Sequence, residues 1–364
     1  MLTAIVSDLH LGAASGADVA RRPTVLAKLA EALADADRVV VLGDLLEMRE
    51  RPASDVLDLA RPVLETIGEA SAGKQLVLVP GNHDHELVSP ALDAARLERR
   101  GPLALEATFD ASSGELSRRV AAAMPRTEVV LAYPGIRLRD DVFATHGHYL
   151  DVHLTVPRLE CVLASAVARI AGALREGGTP TPDGYEAALA PLYAFAYSVV
   201  QQAPARAVTR GGNASRAIWS RANSGGRASL TGMALGRIAI PGAVAAVNAL
   251  GLGPFRADIS GLELRRAGLR AMARVVQELG IESDHVLFGH THRAGPLPGE
   301  VEGWHLPGGA RLHNTGSWVY EDVFLGGTRP SENPYWPGCV TFLRDEGAPF
   351  TERVVSEFEL STAG

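Results

Sequence analysis

Over its first 150 or so residues the chain alternates short, β-branched apolar runs with longer stretches of helical periodicity. Leu2–Ser7, Arg38–Leu42, Gln75–Val79, Glu128–Tyr133 and Val142–Thr145 read as strands, and Pro23–Ala34, Ser54–Glu69 and His85–Arg100 as helices. Strands separated by helices imply an α/β domain with a largely buried sheet, because each crossover lays a helix on a sheet face. The pattern changes after about Leu154. Residues 155–283 hold no convincing strand and are rich in Ala, Gly and Arg, with loops such as Gly177-Gly178-Thr179-Pro180 and Gly211-Gly212-Asn213. Strand-like runs return at His285–Phe288, Ala310–Asn314, Cys339–Leu343 and Phe350–Glu357. The simplest organisation is a core formed by residues 1–154 and 284–364, interrupted by a helical insertion over 155–283.

Polar strings follow several of these strands: Asp8-Leu9-His10, Gly43-Asp44-Leu45-Leu46-Glu47, Gly81-Asn82-His83-Asp84, His146-Gly147-His148 and Gly289-His290-Thr291-His292. In open α/β sheets the carboxyl ends of strands are where ligands bind. Carboxylates, imidazoles and one amide, with no thiolate, form a mixed O/N donor set suited to Mn²⁺, Fe, Zn²⁺ or Co²⁺. Two such ions held about 3.5–4 Å apart clamp a phosphate and generate hydroxide near neutral pH. Glycines beside the donors let the backbone turn sharply and leave room for metal and substrate.

Together these strings resemble the calcineurin-type metallophosphoesterase superfamily, over about residues 1–154 and 284–364. The resemblance implies a four-layer α/β/β/α sandwich of two mixed sheets, here carrying the helical insertion as a cap. It implies that Asp8, His10 and His292 bind one divalent ion, that Asn82, His146 and His290 bind a second, and that Asp44 bridges them. His83 would then stand by the leaving-group oxygen as acid or charge stabiliser. Where the superfamily usually has Asp, this chain has Glu47, whose longer carboxylate is expected to orient His83. Ser7-Asp8-Leu9-His10-Leu11, His146-Gly147-His148-Tyr149-Leu150-Asp151 and Asn314-Thr315-Gly316-Ser317-Trp318 look most like the branch containing UDP-2,3-diacylglucosamine hydrolases. That branch usually has Arg at the position of His83, so its exact substrate does not carry over.

The net charge of −7 conceals an asymmetry. From Ala187 to Ala257 there is no Asp, Glu or Lys but seven arginines: Arg206, Arg210, Arg216, Arg221, Arg227, Arg237 and Arg256. This stretch suits substrate phosphate, anionic lipid or a solvated face. Within it Leu230–Leu252 is strongly apolar, but Arg237, Pro241, Asn248 and several glycines interrupt it, against a clean membrane-spanning helix. A cap receiving an amphiphilic phosphorylated substrate, with peripheral contact to an anionic membrane, accounts for both features.

Met1 leads straight into a core strand with no basic start or small-residue cleavage site, and Cys161 and Cys339 lie far apart; a reduced, cytoplasmic setting is expected. His148 and Asp151 are candidates for contacting substrate or supporting the metal imidazoles. His153, His285, His305 and His313 are expected to be structural, and His85 to lie at the surface or at a helix start. The expected activity is hydrolysis of a phosphomonoester or phosphoanhydride, the substrate a lipid or nucleotide and Mn²⁺ the foremost metal. Alternatives are a phosphodiesterase acting on cyclic nucleotides and a DNA nuclease, the latter opposed by the acidic chain and apolar insertion. A non-enzymatic scaffold would be expected to have lost ligands, and none is missing here.

Overall fold

The apolar runs of the first eighty residues form strands β1 (Leu2–Val6), β2 (Arg38–Leu42) and β3 (Gln75–Val79), paired in parallel in that order. Ile5, Val6, Val39, Val40, Val77 and Leu78 are all buried, so successive side chains find cover on both sheet faces. An unbroken Val-Val-Val is what a doubly covered parallel strand requires. The computed structural model describes residues 1–154, 167, 180–202, 261–321 and 333–361. Cys161, the seven arginines, Leu230–Leu252 and the loops at 177–179 and 211–213 lie outside the described residues.

Helix α1 (Pro23–Ala34) opens on Pro23, where a missing N–H costs nothing, and buries Val25, Leu29 and Leu33 as one stripe. Helix α2 (Ala53–Ala70) buries Val56, Ala60, Val63, Leu64 and Ile67. The helix expected over His85–Arg100 divides instead into a 3-10 turn, His85–Leu87, and α3 (Ser89–Leu97). Pro90 explains the division: mid-helix it would remove a hydrogen bond, whereas in the first turn of α3 it is tolerated. His85 stands at the start of that 3-10 turn, as one of its two expected placements has it, but it is buried, edge-on to Tyr133 at 5.6 Å, which corrects the surface alternative.

Two elements between α3 and the next strand were not anticipated, β4 (Glu106–Asp110) and α4 (Glu115–Ala122). Strand β5 (Glu128–Arg139) continues through Pro134-Gly135, where the sequence suggested a stop. Pro134 marks a handover: β4 pairs with β5 from Val130 to Pro134, and β6 (Val142–Thr145) pairs from Gly135 onward. A side chain at Gly135 would collide with the Phe143 ring, its Cβ falling 2.4 Å from Cζ. The remaining strands are β7 (His285–Phe288), β8 (Arg311–Asn314), β9 (Cys339–Arg344) and β10 (Phe350–Arg353), followed by a short helix, Glu357–Ser361.

Among the described residues the ten strands form one mixed sheet in the order β10-β9-β1-β2-β3-β5-β6-β7-β8, with β4 also on β5. The expected α/β class is met. In place of two separate sheets, hydrogen bonding runs continuously because the twelve-residue β5 serves both halves. The sheet curls so that Ile5, Val40 and Val77 share a core cluster with Leu138, Val142 and Leu287.

Contacts divide the chain into Met1–His148 with Glu282–Gly364, and Tyr149–Ile281. All ten strands belong to the first unit. Described parts of the second include α5 (Pro182–Gln202) and α6 (Gly261–Glu278). There the Tyr185 hydroxyl donates to Glu278 Oε2 at 2.8 Å and lies 2.6 Å from His153 Nε2, while Tyr149 stacks on Tyr185 and donates to Glu186. Burial, partly opposed by the Glu278 charge, brings the His153 imidazole down to about 4. Among the described residues no helix is long and apolar enough to cross a membrane.

On β7 and β8, His285 Nδ1 and His313 Nε2 lie 2.9 Å apart. Burial, with the neighbouring charges of His285, Arg311 and His305, pulls His313 down to about 4. Its folded value lies below the ordinary 6.5 of an unfolded imidazole, so its stabilising contribution is complete above pH 6.5. That contribution is lost as pH falls toward 4, to a total of about 3 kcal/mol. Urea unfolding of His313→Gln should show a correspondingly shallower loss of stability between pH 6.5 and 4 than the parent protein.

Candidate metal centre

The polar strings stand directly after the carboxyl ends of β1, β2, β3, β6 and β7, and hydrogen bonds lock their loops to one another. Asp8 N–H donates to Gly43 O at 3.0 Å, His10 N–H to Asp44 O at 2.8 Å, and Leu11 N–H to Leu45 O at 2.9 Å. His83 N–H donates to Asp44 Oδ1 at 2.8 Å, and His290 N–H lies 3.1 Å from each oxygen of Asp8. Six described non-glycine residues have positive φ, and five of them are Asp8, His10, Asp44, His290 and His292. Each such conformation costs about 1–2 kcal/mol. Strain of this kind persists where surrounding structure fixes it, and it clusters at functional sites.

Space is equally constrained. A Cβ on Gly81 would lie 2.3 Å from Asp44 Oδ1, and one on Gly289 would lie 2.4 Å from Asp8 Oδ2. Only a glycine lets these turns pass so close to the carboxylates.

Three groups of donors converge: Asp8, His10 and His292; His10, Asp44 and His83; and Asp44, His146 and His290. His292 Nε2 is 3.3 Å from Asp8 Oδ1 and 3.0 Å from His10 Nε2. Asp44 Oδ2 is 3.5 Å from His10 Nε2 and 3.3 Å from His146 Nε2. The Asn82 amide oxygen lies 3.2 Å from His146 Nε2 and 3.0 Å from His290 Nδ1. Donors about 2.1 Å from a shared ion at square to tetrahedral angles stand about 3.0–3.4 Å apart, so the set fits divalent metal.

The electrostatics agree. Burial alone would raise Asp8 and Asp44, but the neighbouring imidazoles, His292 for the first and His146 and His83 for the second, hold both below their ordinary value. Burial opposes protonation of His10, yet the Glu47 hydrogen bond and the charges of Asp44, Glu47 and Asp8 push it up to about 10. Against the same opposition, Asp44 and Asp8 push His146 up to about 9. Buried carboxylates thus draw positive charge onto these nitrogens, a place a cation takes on binding.

Glu47 has a wider role than the expected one. Its carboxylate meets His10 Nδ1 at 2.9 Å and His83 Nδ1 at 2.8 Å, joining a candidate metal ligand to the candidate leaving-group histidine. Acceptors of this kind orient metal-bound imidazoles. Glu47→Ala should weaken Mn²⁺ binding about 10- to 100-fold, measured by metal titration. His148, 1 % exposed, sits against Tyr133, with Nε2 3.0 Å from the phenol oxygen and its ring 5.6 Å from that of His146. Burial, reinforced by the His146 and His290 charges, keeps it well below the ordinary imidazole value. Asp151 is buried in the second unit, within the 3-10 turn His148–Val152.

Sequence reasoning passed over Asp84. Its carboxylate accepts from Gly81 N–H at 2.7 Å and from Leu45 and Leu46 N–H at 2.7 and 3.3 Å, stapling the Asp44 and Asn82 loops together. Burial and the Asp44 charge raise it to about 6, offset by those N–H donors. Its place directly after Asn82-His83 was the available signal. Trp318 was noted only for resemblance, yet its N–H donates to Asp8 O and its indole to Cys339 O, each at 3.0 Å.

Residues 1–164 match the family model for Calcineurin-like phosphoesterase. That match and the His/Asp groups support a metal-dependent phosphoesterase. A solved point mutant of a cold-active protein tyrosine phosphatase is similar at 14% identity, covering 96% of this chain and 80% of that one, with TM-score 0.31. The cold-active protein-tyrosine phosphatase of a psychrophile, Shewanella sp., gives 14% identity, the same coverages and TM-score 0.29. Similarity this low bears on neither fold nor substrate. No curated protein matches the chain.

Proposed function

We propose that this chain hydrolyses phosphoester or phosphoanhydride bonds with a dinuclear metal centre. The observation that carries this reading is the position of Asp44, whose carboxylate lies within 3.5 Å of imidazoles from two separate donor groups. Asp8, His10 and His292 would hold one ion, Asn82, His146 and His290 the other, and Asp44 would bridge them. Two divalent ions bound there, Mn²⁺ before Fe, Zn²⁺ or Co²⁺, would supply charge neutralisation for phosphoryl oxygens and a nucleophile from water near neutral pH. Glu47 binds His83 through Nδ1, leaving Nε2 of this partly exposed ring to pass a proton to the leaving oxygen.

The substrate class is a phosphorylated lipid or nucleotide, akin to that of the UDP-2,3-diacylglucosamine hydrolase branch, with the second unit as a cap. Two features support it: α5 has no charged residue from Ala187 to Gln202 and exposes Phe195 and Val199, and arginines alone supply charge over 187–257. Peripheral contact with an anionic membrane belongs to the same reading.

Mn²⁺-dependent hydrolysis of chromogenic mono- and diesters, assayed side by side, tests the reading. A monoester preference is expected, with phospholipids and nucleotide sugars tried next. A diester preference would turn attention to cyclic nucleotides and DNA. Protein that retains no metal after equilibration with Mn²⁺ overturns the dinuclear centre.

A further inference from the structure

We infer that Arg49 forms an oxyanion subsite with the Asn82 side chain, gripping a phosphoryl oxygen of the substrate beside the metal centre. The inference rests on the hydrolase reading and adds a residue that no motif in the sequence singles out. Arg49 N–H donates to Glu47 Oε1 at 3.0 Å, so its backbone is fixed to the carboxylate that also holds His10 and His83. Its guanidinium reaches the terminal amide of Asn82: one amide atom faces His146 and His290, while the other lies 3.1 Å from Arg49 Nη1 and 3.3 Å from Nη2.

That amide has two orientations with different consequences. With nitrogen toward the imidazoles, its oxygen accepts from Arg49 and the protein satisfies itself. With oxygen toward the imidazoles, as metal ligation requires, the amide N–H₂ faces Arg49, and two donor groups address the same space. An anionic oxygen placed there accepts from both. A phosphoryl oxygen fits by charge, and the planar guanidinium fork fits it by shape. Metal loading and substrate recognition are thereby joined through one side chain, because turning Asn82 toward the cation also presents its N–H beside Arg49.

The probe is inorganic phosphate titrated calorimetrically into Mn²⁺-equilibrated protein, comparing the parent with Arg49→Ala and Arg49→Lys. Metal content and kcat and KM for a chromogenic monoester are measured on the same samples. Arg49→Ala should weaken phosphate binding and raise KM about 10- to 100-fold at unchanged metal content, with partial recovery in Arg49→Lys. Unchanged phosphate affinity and KM in Arg49→Ala overturn the subsite. Loss of metal in Arg49→Ala, with the remaining loaded sites binding phosphate normally, also overturns it, since Arg49 would then only brace Asn82. A parent protein that binds phosphate through Arg49 yet hydrolyses no ester overturns the hydrolase reading and leaves the subsite standing.

Discussion

Asp44→Asn should reduce metal-dependent phosphoester hydrolysis about 10³-fold while leaving the fold intact. The amide keeps the shape and the acceptor for His83 N–H, but removes the negative charge shared between His10 and His146. Several kcal/mol of charge stabilisation at a metal pair corresponds to about three powers of ten in rate. Metal analysis beside the assay should show fewer ions bound per chain, and circular dichroism should be unchanged. Retained activity at full metal occupancy would remove Asp44 from the bridging position.

The largest loss of stability is expected for Trp318→Ala. Its side chain is fully buried, its indole N–H binds Cys339 O, and its backbone joins Asp8 on one side and Val19 on the other. Truncating a buried Trp costs about 3–5 kcal/mol, and here a buried carbonyl also loses its donor. Urea unfolding of the metal-free proteins measures the first effect; a weaker affinity for Mn²⁺ should accompany it, because Asp8 loses its packed support. A midpoint within error of the parent would overturn Trp318 as a stabilising anchor of this loop.

Strands and donors were legible in the sequence for the same reason. β1, β2 and β3 are buried on both faces, so their residues are almost all apolar, and the polar residue ending each run stands out. Asp8, Asp44 and Asn82 are visible against that background, and the structure brings them beside His10, His146, His290 and His292. β4 was missed because it is half exposed, with Glu, Thr and Asp among its residues. The continuity of the sheet was missed because Pro134-Gly135 resembles a turn locally, and only the change of partner strands makes it acceptable. Asp84 and Arg49 act through loops distant in sequence, and no local pattern reports such contacts.

β1 has β2 on one side and β9 on the other, so Ala4 lies across from Phe342. Loop closure over such a span is slow in entropic terms and delays native pairing until both strands are available. During synthesis, therefore, β1 leaves the ribosome long before its neighbour β9 and must wait for it. The donor set is also assembled from distant segments, since Asp8 meets His292 only after the loop that follows β7 has been made. A nascent chain is thus unable to assemble the full donor set before the segment carrying His290 and His292 is made, and a cation that joins these segments acts as a clasp between parts synthesised far apart in time.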